Sequence, residues 1–294
     1  MRVTHRMIID NAIRSMSESL QKLSDLQSQA SSGKKFTQSS ENPRASRSAL
    51  ALRSNLNANQ SYLDTIHAAD EWMTASQNAL DDLNDLAMKG LNKALTGVSE
   101  TNSESRSALA AELDTYLNEA VAAANTKYQD NYLFSGFQLK TKPFELVSGS
   151  PDTVTYAGDS GSIQRQIGPD QTMTVNFDAD QVITPMFEAL IAARDALQAD
   201  DTTAIQTAVE DLRAAQQGIN DQEADTGMLI NQLEDSTIYL EETQTALEKL
   251  LSREEDIDLV EVISQLRHQE TVYQTTLEIG HRTMATMNLF DLLK

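Results

Sequence analysis

The stretch IDNAIRSMSESLQKLSDLQSQA (Ile9–Ala30) decides how this chain is read. Apolar residues recur in it at Ile9, Ile13, Met16, Leu20, Leu23 and Ala30, with polar Gln27 in the remaining slot. Those steps alternate four and three, the a/d spacing of a coiled-coil seam. The far end of the chain repeats the device: Leu259, Ile263, Leu266, Tyr273, Leu277, Met284 and Met287 form a second seam, interrupted by Glu270 and Gly280. A helix with one apolar line and no core of its own needs a partner. The simplest expectation is that the two ends pack against each other and that copies of the same chain cover what remains. These twelve seam positions are therefore the candidate assembly interface.

The first helix should stop near Gly33, where polar linker residues lead to Pro43. From there the pattern resumes at Leu52, Leu56, Leu63, Ile66, Met73, Leu80, Ala87 and Leu91, interrupted by Asn59, Asp70, Gln77 and Asn84. Neither proline nor glycine occurs between residues 44 and 89, so a single rod of roughly 70 Å is expected at about 1.5 Å per residue. Gly97 and the polar TNSES after it read as a turn, and a returning helix is expected from about Glu104 to Gln129.

The character changes at Asp130. Five glycines (Gly136, Gly149, Gly158, Gly161 and Gly168) and the alternating runs DTVTYAG and QTMTVNF lie between there and Pro185. These are strand and turn signals, so a small β domain is expected. Tyr128, Tyr132, Phe134, Phe137 and Phe144 crowd its entrance although aromatics are only 5% of the chain. Packing of the strands against helices accounts for them better than a ligand platform. Helix should return at Met186–Gln198 and again from Thr202 to about Leu251, where Gly218 and Gly227 each cost about 1 kcal/mol relative to Ala. The expected fold class is mainly α with a small central β insert, and with long, antiparallel, coiled-coil-like helices from both chain ends.

Charge narrows the partners. The net charge is −21, a field that repels phosphates and so disfavours nucleic acid and anionic membranes. It is unevenly placed: Arg2, Arg6, Arg14, Lys22, Lys34, Lys35, Arg44 and Arg47 outnumber the acids of residues 1–48, whereas residues 178–261 are strongly acidic. Solvated helix faces explain this simply, and contact between copies explains it more sharply. There is no cysteine, which removes disulfides and thiolate chemistry. No apolar run approaches the ~20 residues of a membrane span, and none resembles the core of a cleavable signal peptide.

Catalytic signals are absent. His5, His67, His268 and His281 show no metal spacing, and Asp221–Gly227 resembles an EF-hand opening but has Thr226 where the loop needs glycine. No phosphate loop or nucleophile motif occurs. The expectation is a non-enzyme with no cofactor and no metal.

Three segments carry a family resemblance. QASSGKKFTQSSENPRAS (Gln29–Ser46) resembles the place in bacterial flagellins and their relatives where the first helix ends in a Ser-Gly-basic turn before an Asn-Pro helix start. The family more often has Asp at or beside Glu41 and Ala near Arg44. SREEDIDLVEVISQL (Ser252–Leu266) is similar to the family's link into its last helix, and LFDLLK to its apolar ending. Within that superfamily, NTKYQDNYLFSGFQLKTKPFE (Asn125–Glu145) and the start MRVTHRMI resemble the group placed between hook and filament.

The resemblance implies a structural part of the flagellum, forming a junction ring between hook and filament. Residues 1–44 and 252–294 would be inner-tube helices, 45–130 and 186–251 the rod domain, and 131–185 the insert. It implies an extracellular location reached unfolded through the flagellar type III export apparatus, without a cleaved signal peptide. Implied partners are copies of the chain, the preceding hook-associated junction protein, flagellin and an export chaperone. Flagellin itself, and an acidic helical binding or signalling module, are the alternatives.

Overall fold

The structure, a computed structural model, describes residues 5–149 and 151–291. Its elements are α1 (His5–Ser32), α2 (Pro43–Ser99), α3 (Ser103–Ala124), β1 (Lys127–Tyr128), β2 (Asn131–Tyr132), β3 (Phe144–Val147), β4 (Thr153–Tyr156), β5 (Gln164–Gly168), β6 (Gln171–Thr174), α4 (Ala179–Gln198), α5 (Thr202–Glu255) and α6 (Leu259–Asp291). The fold is mainly helical with a small β insert. Two compact units are present: Met1–Ala58 with Thr243–Lys294, and Asn59–Glu242.

Helix boundaries follow local chemistry. Gly33 has φ +70, a left-handed conformation that suits glycine, and its N–H donates to the Gln29 carbonyl at 2.9 Å to close α1. Asn42 caps α2 by accepting from the Ala45 N–H at 3.1 Å, and Pro43 takes the first helical position, where a missing N–H costs nothing. Asn102 and Asp201 cap α3 and α5 in the same way.

The second unit is built on one large core. Leu80 and Leu83 of α2, Leu113 and Leu117 of α3, Ile183, Phe187 and Leu190 of α4, and Ile205 and Leu212 of α5 are fully buried within it. Gly97 is not a turn: it lies inside α2, where a Cβ would stand 2.3 Å from the tip of Leu197. Gly90 likewise faces Leu190, whose tip would stand 2.5 Å from a Cβ there. These glycines let α4 leucines approach the α2 backbone. The turn comes later, where buried Arg106 donates to the carbonyls of Gly97 (3.1 Å) and Glu100 (2.5 Å), covering the otherwise unsatisfied end of α2.

Two other boundaries differ from expectation. Helix α3 ends at Ala124 rather than near Gln129, because the Asn125 amide turns to the β3 backbone, accepting from Phe144 N–H at 3.1 Å and donating to its carbonyl at 2.9 Å. Helix α4 begins at Ala179 and carries Pro185 within it. Gly218 and Gly227 leave α5 unbroken.

The insert is three separate antiparallel ribbons, β1–β2, β3–β4 and β5–β6, each of two strands. Gln129 and Asp130, both at positive φ, form the two-residue turn of the first, the geometry that matches strand twist. Two-stranded ribbons are not stable alone, so each must be held by packing. For β5–β6 it comes from Ile167 and Met173, buried in a second cluster with Leu63, Ile66 and Met73 of α2 and Leu233 and Leu240 of α5, and for the other two ribbons from the aromatics. Phe144 is completely buried between Tyr156 and Phe187, with ring centroids 5.1 and 5.3 Å away. Phe134 meets Phe177, and Tyr128 meets Trp72 of α2 edge-on. Only Phe137 of the group is left in water, at 64% exposure. Arg194, buried in α4, adds an ionic tie: it reaches Asp152 of the β3–β4 loop at 2.7 Å and Asp114 of α3 at 3.0 Å.

Candidate assembly interface

The linkers on either side of the terminal helices meet as an antiparallel bridge between Lys34 and Asp256. Lys35 N–H donates to the Glu255 carbonyl at 2.6 Å, and Ile257 N–H to the Gly33 carbonyl at 3.1 Å. Beneath the bridge lies the carboxylate of Glu255, only 4% exposed, which accepts from Lys34 at 3.2 Å and Arg53 at 2.8 Å. Lys34 also reaches Asp256 at 2.7 Å, and the Lys35 ammonium donates to the Arg253 carbonyl. Asp258 then caps α6, accepting from Val260 and Glu261 N–H groups. Both terminal helices thus leave one clip in antiparallel register.

Two charges in the clip titrate away from their ordinary values. The hydrogen bond from Lys34 is the main reason Asp256 sits below the usual carboxylate range, and the same bond raises Lys34. A carboxylate depressed in the folded state contributes stability above its unfolded pKa and loses it as pH falls through the lower, folded value. A raised lysine contributes below its unfolded pKa and loses it only in strong alkali. Amide exchange at Ile257 and Lys35, corrected for intrinsic rates, is therefore expected to stay slow through neutral pH and to quicken in acid below the carboxylate range. Asp256→Asn should remove that acid dependence. Unchanged protection at acid pH would show that the ion pairs do not hold the clip.

Beyond the clip, α1 and α6 pair along their lengths. Gln269 donates to the carbonyl of buried Ser19 at 3.2 Å and to its hydroxyl at 2.9 Å. The shielded line of α1 is Ala12, Met16, Ser19, Leu23, Leu26 and Ala30; that of α6 is Val262, Leu266, Gln269, Tyr273, Thr276 and Gly280. Both step by four and three, so the coiled-coil spacing holds. The line is turned by one position on each helix from the most apolar one.

The twelve seam residues consequently divide. Met16, Leu23, Leu266 and Tyr273 lie in the α1–α6 contact. Ile13 (49% exposed), Leu20 (51%), Leu259 (51%), Ile263 (37%) and Leu277 (40%) fall beside that line and stand substantially in water on the flank of the pair. Ile9, Met284 and Met287 lie outside the described side chains. Small or polar Ala12, Ser19, Gln269 and Thr276 alternate with Met16, Leu23, Leu266 and Tyr273 along the contact, and the Gln269 bonds to Ser19 hold that face inward, so a flank of aliphatic side chains is turned out. These exposed aliphatic residues are the candidate surface for contacts beyond the helix pair.

The clip was not anticipated, although its signal was present: Lys34-Lys35 after a helix-ending glycine, and Glu254-Glu255-Asp256 before a helix start. The polar interruptions of α2 also have a structural role. Asn59 is buried and donates to the Leu240 carbonyl of α5 at 2.9 Å. Asn84 donates to Asn220 at 2.6 Å and Glu223 at 3.2 Å. Burial, helped by Asp81 and Asp85 and opposed by the Asn84 bond, raises the Glu223 carboxyl. Such buried polar pairs fix the register of facing helices.

Among the described residues no group of three or more His, Asp or Glu is placed to hold a metal ion. His67, His268 and His281 are exposed, and Asp221–Gly227 is continuous helix rather than a loop. No helix of the described residues is long and apolar enough to cross a membrane.

Comparison with known proteins points one way. Residues 3–138 match the family described as the bacterial flagellin N-terminal helical region. The chain is 21% identical over 224 residues to flagellar hook-associated protein 3 of Salmonella typhimurium, spanning 75% of this chain and 69% of that protein. Among solved structures it is similar to FlgL of Bacillus cereus (TM-score 0.61, 20% identity, 69% of this chain and 99% of that one). It is also similar to a putative flagellar hook-associated protein of Vibrio parahaemolyticus (TM-score 0.62, 18% identity, 74% and 100%).

Proposed function

We propose that this chain, whose residues 3–138 match the flagellin N-terminal helical region, is a structural subunit of the bacterial flagellum that forms the junction between hook and filament. The observation that carries the proposal is the outer aliphatic flank of the α1–α6 pair, where Leu20 and Leu259 are each 51% exposed. A two-helix pair buries too little apolar surface to be the endpoint of folding, and covering that flank with other copies supplies the remainder. The likeness in fold to proteins described as hook-associated and junction proteins supports the junction over the filament itself.

In this reading the chain assembles by packing its terminal helices against those of neighbouring copies. The preceding hook-associated junction protein lies on one side and flagellin on the other. It is exported by the flagellar type III apparatus with a chaperone and without a cleaved signal peptide, and works outside the cell. Its role is mechanical, with no reaction catalysed.

The test is complementation of a strain lacking its own hook–filament junction protein, together with assembly of the purified chain on short flagellin seeds, read by electron microscopy. Restored filament attachment and no elongation by the chain alone are expected. Long filaments of this protein by itself would make it a filament subunit. Failure to enter flagella at all would defeat the structural reading.

A further inference from the structure

Two exposed strips outside the α1–α6 pair are of opposite charge, and each has an apolar centre. On α2, Arg44, Arg47 and Leu50 recur every three residues and all three are exposed, Leu50 at 61%. Among the described residues neither arginine has a carboxylate within ion-pair distance. On α5, Asp235, Tyr239 and Glu242 follow the i, i+4, i+7 spacing of one helix face, with Ile238 beside them. Tyr239 is 67% exposed and Ile238 50%, and neither acid makes an ion pair among the described residues.

Each strip has the anatomy of half an interface, an apolar centre with a charged rim. The rims are of opposite sign, basic on α2 and acidic on α5. We infer that the Arg44–Arg47–Leu50 strip of one copy docks on the Asp235–Tyr239–Glu242 strip of the next, with Leu50 against Ile238 and Tyr239. This rests on the junction reading and specifies which surfaces that assembly uses outside its terminal helices.

The contact is heterologous, because the two patches differ and each copy carries one of each. Every docking event therefore leaves a free strip at either end, and the interaction propagates around a ring or along a helical path instead of closing as a two-fold dimer. A nucleic-acid partner for the arginines is opposed by the chain's net charge of −21. The second copy already carries the matching acidic surface.

The chain has no cysteine, so cross-linking reads the contact directly. Differently tagged Arg47→Cys and Glu242→Cys chains are co-expressed in the strain lacking its junction protein, and isolated flagella are oxidised. A disulfide-linked dimer of the two tags is expected only when both variants are present. Flagella that contain both variants without that dimer would overturn the inference, and so would dimers formed by either variant alone.

Charge exchange gives a second readout. Arg44→Glu with Arg47→Glu is expected to reduce filamented cells about tenfold, the loss that like charges on both rims produce. Adding Asp235→Lys and Glu242→Lys to the same chain should restore them; no restoration would overturn the contact. The unmodified chain is scored in parallel, and its failure to restore filaments would count against the junction reading rather than against the contact.

Discussion

Leu20→Asp is expected to leave the isolated chain as stable as before and to stop its incorporation into flagella. Leu20 is 51% exposed and stands outside the line that α1 presents to α6. An aspartate there remains solvated in the free chain, and a surface substitution of that kind changes stability by about 0.5 kcal/mol or less. In the proposed assembly the same position would be covered by a neighbouring copy. The carboxylate then loses its water without gaining a partner, a cost of about 3–5 kcal/mol per subunit for an uncompensated buried charge. Repetition of that loss in every copy makes assembly fail.

Leu23→Asp provides the contrast. Leu23 lies in the α1–α6 contact, so its replacement should weaken the helix pair in the free chain as well. Thermal melts followed by circular dichroism, read alongside immunogold labelling of flagella, separate the two. Normal incorporation of Leu20→Asp would mean that the outer flank is not an interface.

Phe144→Ala should be among the most damaging single changes in the second unit, at about 3–5 kcal/mol. Its ring is wholly buried, touching Tyr156 of β4 and Phe187 of α4 at once. Truncation removes the apolar burial and the paired-ring term and leaves a cavity between ribbon and helix. The backbone bonds from Asn125 to residue 144 survive, so the loss isolates packing. Phe137→Ala, only seven residues away but 64% exposed, should shift the urea midpoint by an amount equivalent to about 0.5 kcal/mol or less. If Phe144→Ala cost no more than Phe137→Ala, the ribbon would not be anchored by this ring.

That pair shows why the aromatic run could be located in the sequence but not apportioned. Crowding of Tyr128, Tyr132, Phe134, Phe137 and Phe144 announces an apolar contact, because so many rings in a chain poor in aromatics must pack somewhere. Which of them faces the helices depends on a hairpin register and on the Asn125 amide bonding a strand 19 residues away. Gly97 makes the same point for helices. Glycine before a polar run reads as a turn, yet the demand it meets is the approach of Leu197, a hundred residues later. Pro185 reads as a boundary and is instead accommodated within α4.

By itself, the sequence determined what is local: the four–three spacing of both terminal helices, the stop at Gly33, the Asn42-Pro43 start, the helical character of α5 despite two glycines, and a strand-rich insert between helices. These rest on period, capping and turn chemistry, which act within a few residues. Only the tertiary structure decided which of two adjacent lines on α1 and α6 would be buried. Leu20 and Ser19 are neighbours in sequence, and hydrophobicity favours burying Leu20. The clip of Glu255 with Lys34 and Arg53 and the hydrogen bonds from Gln269 to Ser19 fix which faces meet, and those faces bury Ser19 instead. Leu20 and the other exposed aliphatic residues of that flank remain outside, as the surface through which copies of the chain would meet.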